Sequence, residues 1–154
     1  MMRRCVLLLL LALGLAPSWA DDILVVTRHD MSSEDVTSKR LENIFLKKTL
    51  LNAAGVRWIP VNLSADHPVR RAFAQQLFNK LPENMESYWN AQYYQGIMPP
   101  YVVDSEEAML RFIDSTPGAI GYISPCHLDK RVQVILKLTL TAPLGKTCPP
   151  PPIK

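Results

Sequence analysis

The sequence predicts an α/β sandwich, with helices covering both faces of a mainly parallel sheet in three layers. Three observations carry that prediction. Short apolar, β-branched runs alternate with segments of helical period along residues 23–123. Clusters of proline, glycine and polar residues separate them. A final run, residues 132–140, alternates apolar and polar with the period of a strand.

The elements follow in order. Ile23-Leu24-Val25-Val26-Thr27 reads as a buried strand. A polar loop, Arg28 to Asp35, follows it, and within it Ser32 and Asp35 have capping-box spacing. The next helix places Leu41, Ile44 and Phe45 on one face, with Lys39, Arg40 and Glu42 outside. Gly55 closes a turn region, and Val56 to Leu63 reads as the second strand. Pro68 opens the clearest helix, since a first-turn proline loses no hydrogen bond there. Val69, Phe73 and Leu77 recur at i, i+4 and i+8, and Ala72 widens the stripe. Arg70 and Arg71 stand in its first turn, against the helix dipole. That placement costs roughly a few tenths of a kcal/mol unless something negative lies near.

A shorter helix is expected over Glu83 to Gln92, with Met85, Tyr88 and Trp89 facing in. Gly96 and Pro99-Pro100 punctuate a loop. Asp104 and Glu107 give a second capping-box spacing, ahead of a helix burying Ala108, Met109, Phe112 and Ile113. Thr116-Pro117-Gly118 stops that helix, and Ala119 to Ile123 is a strand interrupted by Gly121. A glycine inside a buried strand marks a place where another element comes close. In the last strand Val132, Val134, Leu136, Leu138 and Leu140 share one face.

The two ends set the setting. Arg3 and Arg4, the apolar run Val6 to Leu15 and Ser18-Trp19-Ala20 have the layout of a signal peptide cleaved after Ala20. Residues 1–20 are therefore read as signal peptide, 21–142 as one lobe and 143–154 as a proline-rich tail. A periplasmic location follows, with no membrane-spanning segment after cleavage. Of 17 basic residues two lie in the leader, leaving 15 against 14 acidic ones. That near-neutral balance removes the compositional argument for nucleic-acid binding. Cys126 and Cys148 remain, and in an oxidising compartment two lone cysteines favour a disulfide over a metal site. No cofactor motif occurs, and no nucleophile–base or paired-carboxylate spacing argues for catalysis. The chain is read as a non-enzyme.

In parallel α/β sheets, ligands bind where strand C-termini lead into helix N-termini. Two loops qualify: residues 27–33, with Ser32 and Ser33, and residues 62–67, with Ser64 and His67, followed by Arg70. Hydroxyls, a basic side chain and free helix N–H groups together make an anion site. Ser32, Ser33, Ser64, His67 and Arg70 are the candidate contacts for phosphate or a similar oxyanion.

Leu41-x-x-Ile44-Phe45-Leu46, then Pro60-Val61-Asn62, Arg70-x-x-Phe73, Tyr88-Trp89 with Gly96, and Pro117-Gly118-Ala119-Ile120-Gly121-Tyr122 occur in a specific order. That order resembles the substrate-binding proteins of phosphate ABC transporters, especially their short, single-lobe exported relatives. The resemblance runs from about Ile23 to Leu138. It implies one lobe of a type II periplasmic binding protein, a role in phosphate uptake or sensing, and an envelope partner such as a transporter or sensor subunit. Two departures are visible. Lys47 stands where the family commonly has glycine, and Asn62-Leu63-Ser64-Ala65-Asp66-His67-Pro68 replaces a loop with an arginine and a glycine–serine–glycine cradle. The departures leave a second reading open: a non-catalytic envelope interaction module that kept the lobe and lost the ligand.

Overall fold

The computed structural model describes residues 21–31 and 36–145. The expected leader, Ser32, Ser33, Cys148 and most of the proline-rich tail lie outside the described residues. Five strands form one sheet in the order β3-β2-β4-β1-β5. They are β1 (Asp22–Arg28), β2 (Ile59–Leu63), β3 (Tyr101–Val103), β4 (Ala119–Ile123) and β5 (Val132–Thr139). Four α-helices accompany them: α1 (Ser38–Phe45), α2 (Pro68–Phe78), α3 (Glu86–Tyr93) and α4 (Glu106–Ser115). Among the described residues no helix is long and apolar enough to cross a membrane.

The α/β lobe is as expected, and its sheet is mixed. β2 runs parallel to β3 and β4, whereas β1 runs antiparallel to β4 and β5. Two neighbouring residues of β4 define the layers, because successive side chains of a strand point to opposite faces. Tyr122 stacks on Phe73 of α2, ring centroids 3.8 Å apart, and meets Phe45 of α1 at 5.9 Å. Gly121 faces α4, where an added Cβ would lie 2.3 Å from Met109 Sδ and 3.0 Å from Ile113 Cδ1. So α1 and α2 cover one face and α4 the other. The glycine in the buried strand is the footprint of α4.

Helix starts differ from the expected ones, by five residues at α1 and by one at α4. Thr37, not Ser32, caps α1, its side chain accepting from the Arg40 N–H at 3.2 Å. Ser105, not Asp104, caps α4, its hydroxyl accepting from the Ala108 N–H at 3.1 Å. At α4 two adjacent capping-type residues, Asp104 and Ser105, competed, and phase with the buried stripe chose between them. α4 buries Met109, Leu110 and Ile113, with Phe112 packed at the margin. β2 starts at Ile59 rather than Val56, because residues 52–56 form a turn in which Asn52 Oδ1 accepts from the Val56 N–H. β3 was not anticipated; three residues are too short a run to show a period.

Two further corrections have a physical cause. In β5 the pairing jumps from Val25↔Leu136 to Val26↔Val134, so Ile135 is an extra residue. A bulge of that kind breaks the two-residue phase, and Val134 turns out to solvent. In α3 no residue is fully buried; Tyr88 and Trp89 are half-buried, and only Met85, in the preceding 3-10 turn, is inside.

An exposed ion-pair cluster ties α4 to the β4–β5 connection. Glu107 receives Arg131 at 2.7 and 3.0 Å and Arg111 at 2.9 Å. Hydrogen bonds from Arg131 and then Arg111 hold the Glu107 carboxyl down at about 2, against a usual 4.5. A depressed carboxylate stabilises the fold above its unfolded value, and that contribution is lost as pH falls through the folded value. The melting temperature is therefore expected to drop between pH ~4.5 and ~2, with Glu107→Gln flattening part of that decline. Because the cluster is exposed, molar salt should shrink the difference between the two proteins. A pH series of thermal melts at low and high salt reads both effects.

Candidate functional site

The parallel strands β2, β3 and β4 end on the same edge of the sheet. β2 delivers Asn62 there, buried, in an otherwise apolar strand. A buried amide needs partners, and Asn62 has two. Its Oδ1 accepts from Tyr122 Oη at 3.1 Å and from Arg70 Nη1 in a short bond. Tyr122 Oη in turn accepts from the Leu63 N–H at 3.2 Å. Burial pushes the Tyr122 phenol up to about 12, so it remains a proton donor across the ordinary pH range. The network fixes Arg70, a first-turn residue of α2, over the C-terminal end of β2.

Ser64 follows Asn62 by two residues, half-buried, and its N–H is held by the Val103 carbonyl of β3 at 3.1 Å. Ser64 accepts from the His67 N–H through its carbonyl oxygen, which makes the turn into α2. His67 occupies the N-cap of α2, with Nδ1 accepting from the Val69 N–H at 3.2 Å. One ring nitrogen is thus committed to the helix. Arg71, beside Arg70, is taken by Glu83, whereas no carboxylate pairs with Arg70 among the described residues. Ser64, His67 and Arg70 come together at one turn.

The other expected loop leaves from elsewhere. Since β1 is antiparallel to β4, Thr27 pairs with Ile120 and donates to the Ala119 carbonyl, at the start of β4. Ile59, the start of β2, pairs with that same Ala119. Arg28 to Met31 therefore depart from the edge opposite to Ser64, where Gln133 Nε2 donates to the carbonyls of Arg28 and Met31. The expectation that both loops share one hollow assumed a parallel β1. Arg28 itself pairs with Asp30 at 3.0 Å.

A second polar cluster, which sequence reasoning missed, joins the end of β4 to the start of α4. Buried Glu106 Oε2 accepts from the Ser124 N–H at 2.6 Å and from Ser124 Oγ at 2.7 Å, and lies 3.2 Å from His127 Nδ1. Its members resemble a hydroxyl–imidazole–carboxylate set, but the arrangement differs. A catalytic imidazole stands between acid and hydroxyl, using both ring nitrogens. Here Nδ1 alone faces both groups, and the Ser124 hydroxyl is fully buried. The cluster is a clasp, pairing an N–H at a strand end with the first residue of a helix. Its members lie 18 residues or more apart in the chain for Glu106 and Ser124, so no local spacing could reveal it.

The described structure is similar to three solved binding proteins. An ABC-type phosphate transport receptor from Vibrio cholerae superposes with a TM-score of 0.61 at 18% identity, over 75% of this chain and 45% of that one. A Clostridium perfringens protein, assigned as a phosphate ABC transporter substrate-binding protein and solved with phosphate bound, gives 0.62 at 18% identity, over 75% and 44%. PstS from Borrelia burgdorferi gives 0.55 at 17% identity, over 70% and 42%. No protein-family model and no curated protein matches the sequence. At these identities the likeness shows the fold: one lobe of a periplasmic binding protein. The chain spans less than half the length of these three proteins.

Proposed function

We propose that the chain is an exported, non-catalytic lobe that recognises phosphate or a similar small oxyanion from one side, at the turn between β2 and α2. The observation that carries this reading is Arg70: a guanidinium fixed over a strand end, beside the N-terminus of α2, with no carboxylate among the described residues to neutralise it. Asn62 occupies one guanidinium donor, leaving others for a ligand. Ser64 and the exposed side of His67 stand at the same turn, and Ser32 and Ser33 belong to the proposal only if their loop reaches across. Three or four hydrogen bonds to an anion, at about 1.5–3 kcal/mol each, must offset an association cost of roughly 4 kcal/mol or more. Affinity is accordingly expected in the micromolar-to-millimolar range. Delivery to an ABC transporter or a sensor in the envelope fits the fold, as does a Cys126–Cys148 disulfide in the periplasm.

Isothermal titration of residues 21–154 with phosphate and with sulfate tests the reading. Heat that saturates, and that Arg70→Met reduces at least tenfold in affinity, supports it. No heat up to millimolar ligand overturns it.

One observation favours the second reading, an interaction module without ligand. At the C-terminal end of α3 two aromatic rings stand in solvent, Tyr93 62% and Tyr94 88% exposed. Co-purification with an envelope protein, lost on Tyr93→Ser/Tyr94→Ser, together with silence toward anions, would select it.

A further inference from the structure

A groove of about 850 Å³ opens at the other end of β2 from Arg70, around Trp58 and Ile59. Its volume lies within the roughly 300–1,000 Å³ usual for small-molecule sites. Leu50, Ile97, Met98 and Tyr101 give it an apolar lining, and two cations, Lys47 and Arg57, enter it. No carboxylate lines it, and among the described residues neither cation has an ion pair or a side-chain hydrogen bond. Burial, and then the charge of Arg57, hold the Lys47 ammonium below its usual range. Among the described residues the two like charges have no anionic partner.

Lys47 also sits in an unfavourable backbone state. It follows the C-cap of α1 with φ 60, a left-handed position normally filled by glycine. A long cationic side chain kept there, projecting into a cavity, is an outlier that asks for a use.

We propose that this groove binds an organic anion with an apolar body, a carboxylate or sulfonate on an aromatic or branched aliphatic skeleton. Lys47 and Arg57 take the charged head, and Leu50, Met98 and Tyr101 cover the body. Met98 and Tyr101 are 61% and 60% exposed, so a ligand has apolar surface to cover there. This site is separate from the oxyanion turn and does not depend on it.

The test is a fluorescence titration of residues 21–154 with 1-anilinonaphthalene-8-sulfonate, alongside the neutral N-phenyl-1-naphthylamine, which keeps the rings and lacks the charge. The expected result is one saturable site for the sulfonate, at least tenfold tighter than for the neutral dye. Lys47→Gly and Arg57→Gln should each weaken the sulfonate at least fivefold and leave the neutral dye unchanged. Lys47→Gly relieves the backbone and is expected to melt no lower than the parent, so a folding defect cannot imitate the loss. Inorganic phosphate at 10 mM should not displace the dye, which separates this site from the one at Arg70. Equal binding of the two dyes, or parent-like binding by both variants, overturns the proposal. So does a dimer, seen by sedimentation, whose formation alone blocks the dye.

Discussion

Gly118→Ala is expected to destabilise the lobe by roughly 3 kcal/mol or more. Two independent penalties combine. Gly118 has φ +83, a left-handed conformation that costs a residue with a Cβ about 1–2 kcal/mol. The added Cβ would also lie 2.1 Å from the Arg57 carbonyl oxygen, which belongs to backbone and cannot rotate away. That backbone is pinned, because Ile59 donates its N–H to the Gly118 carbonyl at 2.8 Å as β2 begins. Relief requires β2 and the turn before β4 to part. Gly121→Ala, three residues on, is the internal comparison. Its Cβ meets the outer part of the flexible Met109 side chain, so about 1–2 kcal/mol is expected. Urea denaturation of the two variants gives the order directly. A larger loss at Gly121 would mean that α4 cannot yield and that the β2–β4 contact can.

The second large effect is at Phe73. Phe73→Ala should cost about 3–5 kcal/mol. Its ring is fully buried, stacked on Tyr122 with an 8° interplanar angle and edge-on to Phe45 at 4.9 Å. The ring covers one face of the Tyr122 ring, so removing it does more than leave a void. Water entering the hole should let the Tyr122 phenol titrate closer to its usual 10 instead of about 12. Spectroscopic titration of tyrosine absorbance in the folded variant reads this separately from stability. Phe73→Leu, which keeps most of the volume, should retain the high value and lose less stability, about 1–2 kcal/mol. An unchanged phenol in Phe73→Ala would show that Tyr122 is dry for another reason.

Local signals read well wherever one face of an element decides its fate. Leu41, Ile44 and Phe45 at i, i+3 and i+4 are the three buried residues of α1, and Pro68 marks the first residue of α2. Gly121 foretold a close crossing, and α4 supplies it. What local pattern could not carry is direction. A buried strand such as Ile23–Thr27 has the same composition whether it runs up or down, and the site expectation turned on that one bit. Of the five residues grouped for oxyanion binding, Ser64, His67 and Arg70 meet at one turn because sequence proximity put them there. Asn62 and Tyr122, which position Arg70, come from two strands and about sixty residues apart, 60 by chain separation. The only sequence hint was an amide inside the apolar run Ile59-Pro60-Val61-Asn62-Leu63.

The pairing of β1 with β5 has a practical corollary. Asp22 lies opposite Thr139, and the Leu140 N–H returns to the Asp21 carbonyl at 3.0 Å. The lobe thus begins and closes at neighbouring points on one rim. Domains with adjacent ends can be spliced into an exposed loop of a host protein without stretching either. Residues 21–145 are accordingly suited to insertion as a guest module joined by two short linkers.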